Sequence, residues 1–299
     1  MDRTDLRIFS LLVANPFRSD EGLGREVQLT GKAVRLRRKR LEADGVLTEY
    51  AVHPRAETLG RHELAWGYTA TDGREPLPSR LREIDDLVYV RRFRPDFCMV
   101  VRFTKEPDAP DDPRLAGIFG RPFAGPLYER PPWNSVEAEG PSRVDWKVLE
   151  AVVRSPRASL SLQAEYAGVS PKTIRVRRAK LEETHVLESS MILNLEREGG
   201  LSTYGIWLKV DASFNEEGLK LPRLWDSPHW TENPRGVYLL GSADSYFEAR
   251  ELELRLRSLP GVTSADPLIP AGGYFARERV LDWIRTERGR RFGAVDARP

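Results

Sequence analysis

The sequence predicts an α+β protein made of two winged helix-turn-helix domains, each followed by a small αβ sandwich. A gapless internal repeat predicts the doubling, a three-helix pattern in each copy predicts the helix-turn-helix, and strand-rich runs after it predict the sandwiches. Residues 5–50 align on residues 145–190 at a constant offset of 140. Identical pairs include Asp5/Asp145, Pro16/Pro156, Ser19/Ser159, Lys32/Lys172, Arg35/Arg175, Arg37/Arg177, Arg38/Arg178, Leu41/Leu181, Glu42/Glu182 and Leu47/Leu187. Chance does not readily produce that agreement without a gap.

In the second copy Asp145 is expected to cap a helix whose Trp146, Leu149, Val152 and Val153 share one face, with Ser155-Pro156 ending it. Ser159 caps a short second helix, Gly168 turns the chain, and Ser170 followed by Pro171 opens a third. That helix turns Ile174 and Leu181 inward and ends near His185. The first copy matches, with Thr30 as the cap and Gly45 as the stop. The runs 46–52 and 186–195 read as wing strands. Beyond them the first half offers elements at 62–69, 79–84, 87–93 and 97–103, and the second at 203–210, 219–225, 236–240, 245–259 (a helix) and 262–269. Proline and glycine concentrate at 106–141, which reads as a linker packed down by Phe119, Phe123, Tyr128 and Trp133. The expected domains are 1–55, 56–105, the linker 106–141, 142–196, 197–272, and a basic C-terminal helix at 273–299.

The chain has 299 residues, about twice a common domain, and its 40% apolar and 31% charged residues describe a soluble globular protein. There is no run of eighteen apolar residues, and the N-terminal MDRTDLRIFS lacks a signal-peptide core, so a cytoplasmic protein with no membrane contact is expected. Cys98 is the only cysteine, and His53, His62, His185 and His229 have no metal-ligand spacing. No metal, cofactor or catalytic residue is expected. The net charge is only +2, so attraction to a polyanion has to come from local clustering.

Such clusters exist. The third helix of copy one, 30–41, carries Lys32, Arg35, Arg37, Arg38, Lys39 and Arg40 with no acid; that of copy two, 170–181, carries Lys172, Arg175, Arg177, Arg178 and Lys180 with none. A narrow helix bearing cations is what the major groove of double-stranded DNA requires. Residues near the helix start should meet base edges, which selects Lys32, Arg35, Lys172, Thr173 and Arg175. Thr30, Ser170, Arg37, Arg38, Arg177 and Arg178 would hold phosphate. Arg38 and Arg178 stand four residues after Val34 and Ile174, where a further inward apolar residue is expected. A solvated helix face with internal ion pairs is the alternative. Differences at Ala33/Thr173, Leu36/Val176 and Lys39/Ala179 predict unequal half-sites.

The order Asp-x-x-Ile/Val-Leu, Val-Ser, Thr-Ile/Val, Arg, Leu-Glu, Val-Leu resembles the N-terminal domain of the leucine-responsive/asparagine (Lrp/AsnC) regulators. The run VYLLGSAD at 237–244 is similar to that family's strand ending in Gly-x-x-Asp, and LPGV at 259–262 to its closing turn. The resemblance implies ferredoxin-like sensor domains, transcription regulation, and an amino-acid-like effector near Gly241 and Asp244. In copy one Asp96 falls where Asp244 does, with Phe93 at the glycine position. Family members carry one such unit and dimerise, so this chain would be an internal pseudo-dimer on an asymmetric site. Homodimer pairing through the C-terminal helix stays open. Siroheme decarboxylases resemble the same family and supply an enzyme alternative, although residues 88–101 (VYVRRFRPDFCMVV) contain Arg91, Arg92 and Arg94 but no histidine and no Tyr-Asn-Leu-Trp run. A third alternative is a winged-helix scaffold for protein contacts.

Overall fold

Two trihelices are laid down by the same cap chemistry at the same spacing. The computed structural model describes residues 1–69, 78–94, 97–107, 109–120, 122–129, 140–197, 202–215, 225–227, 235–243, 246–267 and 269–293. In copy one the helices are α1 (Arg3–Ala14), α2 (Asp20–Val27) and α3 (Gly31–Ala43), capped by Asp2, Ser19 and Thr30. After a strand β1 (Leu47–Pro54), the chain forms β2 (His62–Thr69), α4 (Pro78–Arg82), β3 (Leu87–Arg94), β4 (Phe97–Thr104), α5 (Pro113–Phe119) and β5 (Pro122–Glu129). Copy two repeats the trihelix as α6 (Arg143–Arg154), α7 (Leu160–Ala167) and α8 (Pro171–Glu183), every boundary displaced by 140, with caps Ser142, Ser159 and Ser170. There follow β6 (Leu187–Leu193), β7 (Ser202–Val210), β8 (Trp225–Ser227), β9 (Arg235–Ala243), α9 (Tyr246–Arg257), β10 (Val262–Pro267), β11 (Ile269–Phe275) and α10 (Arg277–Phe292).

Asp145 does not cap α6. Ser142 does, and Asp145 is the third helical residue of a capping box: its Oδ2 accepts from the Ser142 amide at 3.0 Å while Ser142 Oγ accepts from the Asp145 amide at 3.3 Å. Asp2 and Asp5 form the same box at the start of α1. An acid three residues after a serine or aspartate satisfies two orphan amides at once, and the repeat had located the acid rather than the cap.

The strands read as wings pair with each other. β1 runs antiparallel to β6, with Tyr50 facing Met191 and Ala51 facing Ser190. At the offset of 140 these are Tyr50 against the counterpart of Ala51, and Ala51 against the counterpart of Tyr50. A ladder in which i meets j′ and j meets i′ is the signature of a twofold interface. The chain is therefore folded about an internal pseudo-twofold axis through this ribbon, and the apolar faces of both trihelices join one core there, including Phe9, Leu12, Val34, Trp146, Val152 and Ile174.

Both αβ units have the strand order of a split β-α-β-β-α-β sandwich. The first sheet runs β11-β3-β4-β2-β5 and the second β10-β7-β9-β8, all neighbours antiparallel. The first sandwich takes α5 and β5 from the 106–141 stretch that reads as a linker, so at least its first half closes the sheet. Asp112 caps α5 with Pro113 following, and Phe119 is buried against Tyr68 with ring centroids 5.6 Å apart. Proline here starts an element rather than marking its absence.

The extra strand β11 crosses over from the second unit to the edge of the first, beside β3. The helix after it, α10, docks on α6: Val280, Leu281 and Ile284 are buried, and Glu150 accepts from Arg285 and Arg288 at 2.8 Å each. Arg277 donates to the Tyr50 carbonyl at 3.0 Å and pairs with Glu49. The basic tail thus binds the two halves together. No helix among the described residues is long and apolar enough to cross a membrane.

Candidate nucleic-acid interface

Helix α3 buries Val34, Arg38 and Leu41, and α8 buries Ile174 and Leu181. The spacing of one helix face turns the opposite stripe outward. In α3 that stripe is Lys32, Arg35, Leu36 and Lys39; in α8 it is Lys172, Arg175, Val176 and Ala179, all exposed. Thr30 and Ser170 stand exposed at the helix starts, with their hydroxyls accepting from the amides of Ala33 at 3.2 Å and Thr173 at 3.0 Å. The Thr173 side chain meets Ser170 Oγ at 2.8 Å.

The remaining arginines turn onto carboxylates, while Lys180 is exposed. Arg37 donates to Asp2 at 2.6 Å and Asp5 at 2.9 Å, and Arg40 to Asp5 at 2.5 Å. Arg38 is buried and donates to Asp20 at 3.1 and 3.2 Å and to Glu42 at 2.6 Å. Arg35 keeps an exposed side chain yet donates to Asp20 at 3.3 Å, with Glu21 3.8 Å away. In copy two Arg177 lies 3.6 Å from Asp145, and Arg178 lies 3.2 Å from Glu182. Arg175 forms no ion pair among the described residues, because Leu160 and Ser161 occupy the positions of Asp20 and Glu21.

The inward positions of Arg38 and Arg178 meet the other trihelix rather than a purely apolar core. Both face the seam between the trihelices. Arg157 of copy two reaches across to donate to the carbonyls of Pro16 at 2.7 Å and Arg18 at 2.5 Å and to Asp20 at 2.9 Å. In return Phe17 lies under the Arg178 guanidinium, 4.7 Å from its ring centroid, and Asn15 donates to Glu182 at 3.5 Å. Burial alone would raise the Asp20 carboxyl, but hydrogen bonding to Arg38 and the charges of Arg38 and Arg157 outweigh it and hold it below the usual range. Burial raises Glu182, opposed by Arg178 and Asn15. Neither seam arginine faces open solvent as a phosphate ligand would.

In the second αβ unit Gly241 sits within β9 opposite Tyr204, not in a turn. Asp244 and Asp96 lie outside the described residues. The strand registers also correct the equivalence of Phe93 with Gly241. Phe93 belongs to β3, the second strand of its unit, whereas β9 is a third strand. Leu64, the counterpart of Tyr204, faces Arg102 of β4, so Arg102 takes the place of Gly241. Arg102 is buried and forks onto Asp86 at 2.9 and 2.6 Å, with a third bond to the Pro110 carbonyl at 2.8 Å. The signal was available, since the offset of 140 continues past the trihelix into β2 and β7.

His53 is buried among Tyr89, Phe103 and Phe275, with Nδ1 3.0 Å from the Pro54 carbonyl. No group of three or more metal-ligating side chains occurs among the described residues.

Residues 1–42 match the AsnC-type helix-turn-helix domain. No curated protein matches the chain. Among solved structures, the siroheme decarboxylase NirDL is similar over 95% of this chain and 98% of its own, at 12% identity and a TM-score of 0.44. AsnC of E. coli is similar over 43% of this chain and 91% of its own, at 16% identity and a TM-score of 0.29. A transcriptional regulator of Neisseria meningitidis, NMB0573 in complex with L-Met, is similar over 36% of this chain and 72% of its own, at 23% identity and a TM-score of 0.27.

Proposed function

We propose that the chain is a duplex-DNA-binding regulator in which α8 makes the principal contact and α3 a weaker one. The observation that carries this reading is Arg175, an exposed guanidinium on the outward stripe of α8 with no carboxylate partner among the described residues. Lys172 stands one turn before it, also exposed. A guanidinium so placed is available to fork onto guanine O6 and N7. Arg35 must first give up Asp20 and Glu21. Thr30, Ser170 and Thr173 serve as helix-start contacts, and the second αβ unit, around Gly241 and Asp244, takes the amino-acid-like effector. The pseudo-twofold relation of two unlike helices makes the site asymmetric.

Selection of bound fragments from random duplex DNA tests this, followed by a salt titration of the best site. The expected result is an asymmetric site whose log affinity falls by about 0.9 per phosphate neutralised against log salt, with selectivity relaxed by Arg175→Ala. Equal weak binding to every duplex, unchanged by that substitution, overturns it.

A second reading is a tetrapyrrole enzyme, of the class named for the two solved structures that span nearly the whole chain. It is favoured by what weakens the first: Arg35, Arg37, Arg38 and Arg40 of α3 are all held by carboxylates. Against it, His53 is enclosed by aromatic rings rather than open to a ligand. An absorbance band on titration with iron uroporphyrin, with no selected duplex, would establish it in place of the regulator.

A further inference from the structure

Leu36 and Val176 occupy the same position of the two outward helices, 140 residues apart, and both are exposed, at 62% and 55%. Large apolar side chains on such a surface are ordinary when scattered, but these two recur at the pseudo-symmetric point of a duplicated element. Each sits within a cationic stripe. Lys32, Arg35, Leu36 and Lys39 follow at i, i+3, i+4 and i+7, and so do Lys172, Arg175, Val176 and Ala179. The partner of this face therefore combines negative charge with an apolar group at the level of the helix centre.

Resting on the regulator reading, we propose that Leu36 and Val176 are specificity-determining residues that contact thymine C5-methyl groups, one in each half-site. Within the major groove the thymine methyl is the apolar feature of a base edge, and it lies between phosphate rows that the flanking cations can reach. The two side chains differ in reach, Leu36 being longer by one methylene than Val176, so the thymine positions need not be symmetric about the centre. A second copy of this chain docking through the same residues is disfavoured by charge, since cations flank each apolar residue, Lys32 and Lys39 at Leu36 and Lys172 and Arg175 at Val176.

The test replaces thymine by deoxyuridine, which removes the methyl and leaves the hydrogen-bonding edge intact. In the selected duplex, one deoxyuridine per half-site is scanned through the thymine positions. We expect one position in each half-site to weaken binding about fourfold, the effect of burying one group of methyl size. In Val176→Ala that loss should vanish in the half-site read by α8 and persist in the other; in Leu36→Ala the reverse should hold. Both residues are exposed, so neither substitution opens the core. Binding of the selected duplex with no deoxyuridine effect overturns this inference and leaves the regulator reading standing. Absence of any selected duplex overturns the regulator reading itself. Self-association that weakens in both alanine variants, with deoxyuridine silent, would assign the residues to a chain-to-chain contact instead.

Discussion

The two trihelices share helix boundaries to the residue, and their third helices share five aligned cations, yet the same arginine does different work in each. Arg35 and Arg175 are both exposed, but Arg35 answers to Asp20 and Glu21, whereas copy two has Leu160 and Ser161 at those positions and Arg175 forms no ion pair among the described residues. Arg38 is clamped between Asp20 and Glu42, while Arg178 stacks on Phe17 and has Glu182 beside it. Availability of a cation is thus decided one helix away, at the first turn of α2 or α7. Asp20 serves three guanidiniums, one of them from the other copy.

Removal of that hub should produce the largest difference between the two copies. Asp20→Ala leaves the buried Arg38 and the largely covered Arg157 at the seam without the carboxylate they share. Breaking a buried pair in this way costs about 3 to 5 kcal/mol, read as a fall in the midpoint of denaturant unfolding. Leu160→Ala, at the same position of copy two, removes only partly buried apolar surface and should cost well under half as much. Equal losses would mean that the seam does not depend on the three-arginine hub.

Duplex binding sharpens the same contrast. Arg175→Ala should weaken the selected site by about 1 to 3 kcal/mol, whereas Arg35→Ala should cost less than half of that, because α3 must break two ion pairs before it binds. Binding isotherms at one salt concentration settle the order, and a larger effect of Arg35→Ala would reverse the assignment of α8 as the principal reader.

Acid titration separates the two sides of the seam by sign. The Asp20 carboxyl is depressed in the fold, so its contribution to stability is complete above the unfolded value of about 3.8 and is lost as pH falls through the lower folded value. Glu182 is raised, so the fold binds the proton more tightly than the unfolded chain does. Stability there increases as pH falls through the raised folded value towards 4.5. Glu182→Gln should flatten the stability profile just above 4.5, and Asp20→Asn should flatten it below 3.8. Unfolding midpoints at closely spaced pH values show whether the two windows are distinct.

How far the sequence discloses this depends on the range of the forces involved. The trihelices were legible because caps, apolar spacing and turn residues act within a few positions, and a repeat states them twice. The strands 62–69 and 97–103 were legible for the same reason. The partner of a strand is a long-range matter, so β1 and β6 read as wings until their register showed them paired across the pseudo-twofold axis. The crossover of β11 and the closure of the first sheet by β5 lay hidden behind glycine and proline for the same cause. At the interface, cation clusters were visible, but nothing local to α3 says that Asp2, Asp5 and Asp20 converge on it. The position of Gly241 had a local cue in its motif; that Arg102 fills the equivalent place required the strand register.

The smallest contrast between the copies lies in the turn after their second helices. Gln28 and Gly168 cap α2 and α7 in the same left-handed conformation, with φ of 57° and 63°. A Cβ at such a φ crowds the following carbonyl, at a cost of roughly 1 to 2 kcal/mol, which glycine avoids while losing more entropy on folding. Gln28→Gly should therefore raise stability by about 0.5 to 1 kcal/mol, and Gly168→Gln should lower it by a similar amount. Both positions are exposed, so neither exchange disturbs packing, and thermal midpoints moving in opposite directions are the expected outcome. If Gln28→Gly lowered the midpoint instead, the glutamine side chain would have to hold the first turn in a way that glycine in copy two does not need, and the turns would be equivalent in shape but not in what maintains them.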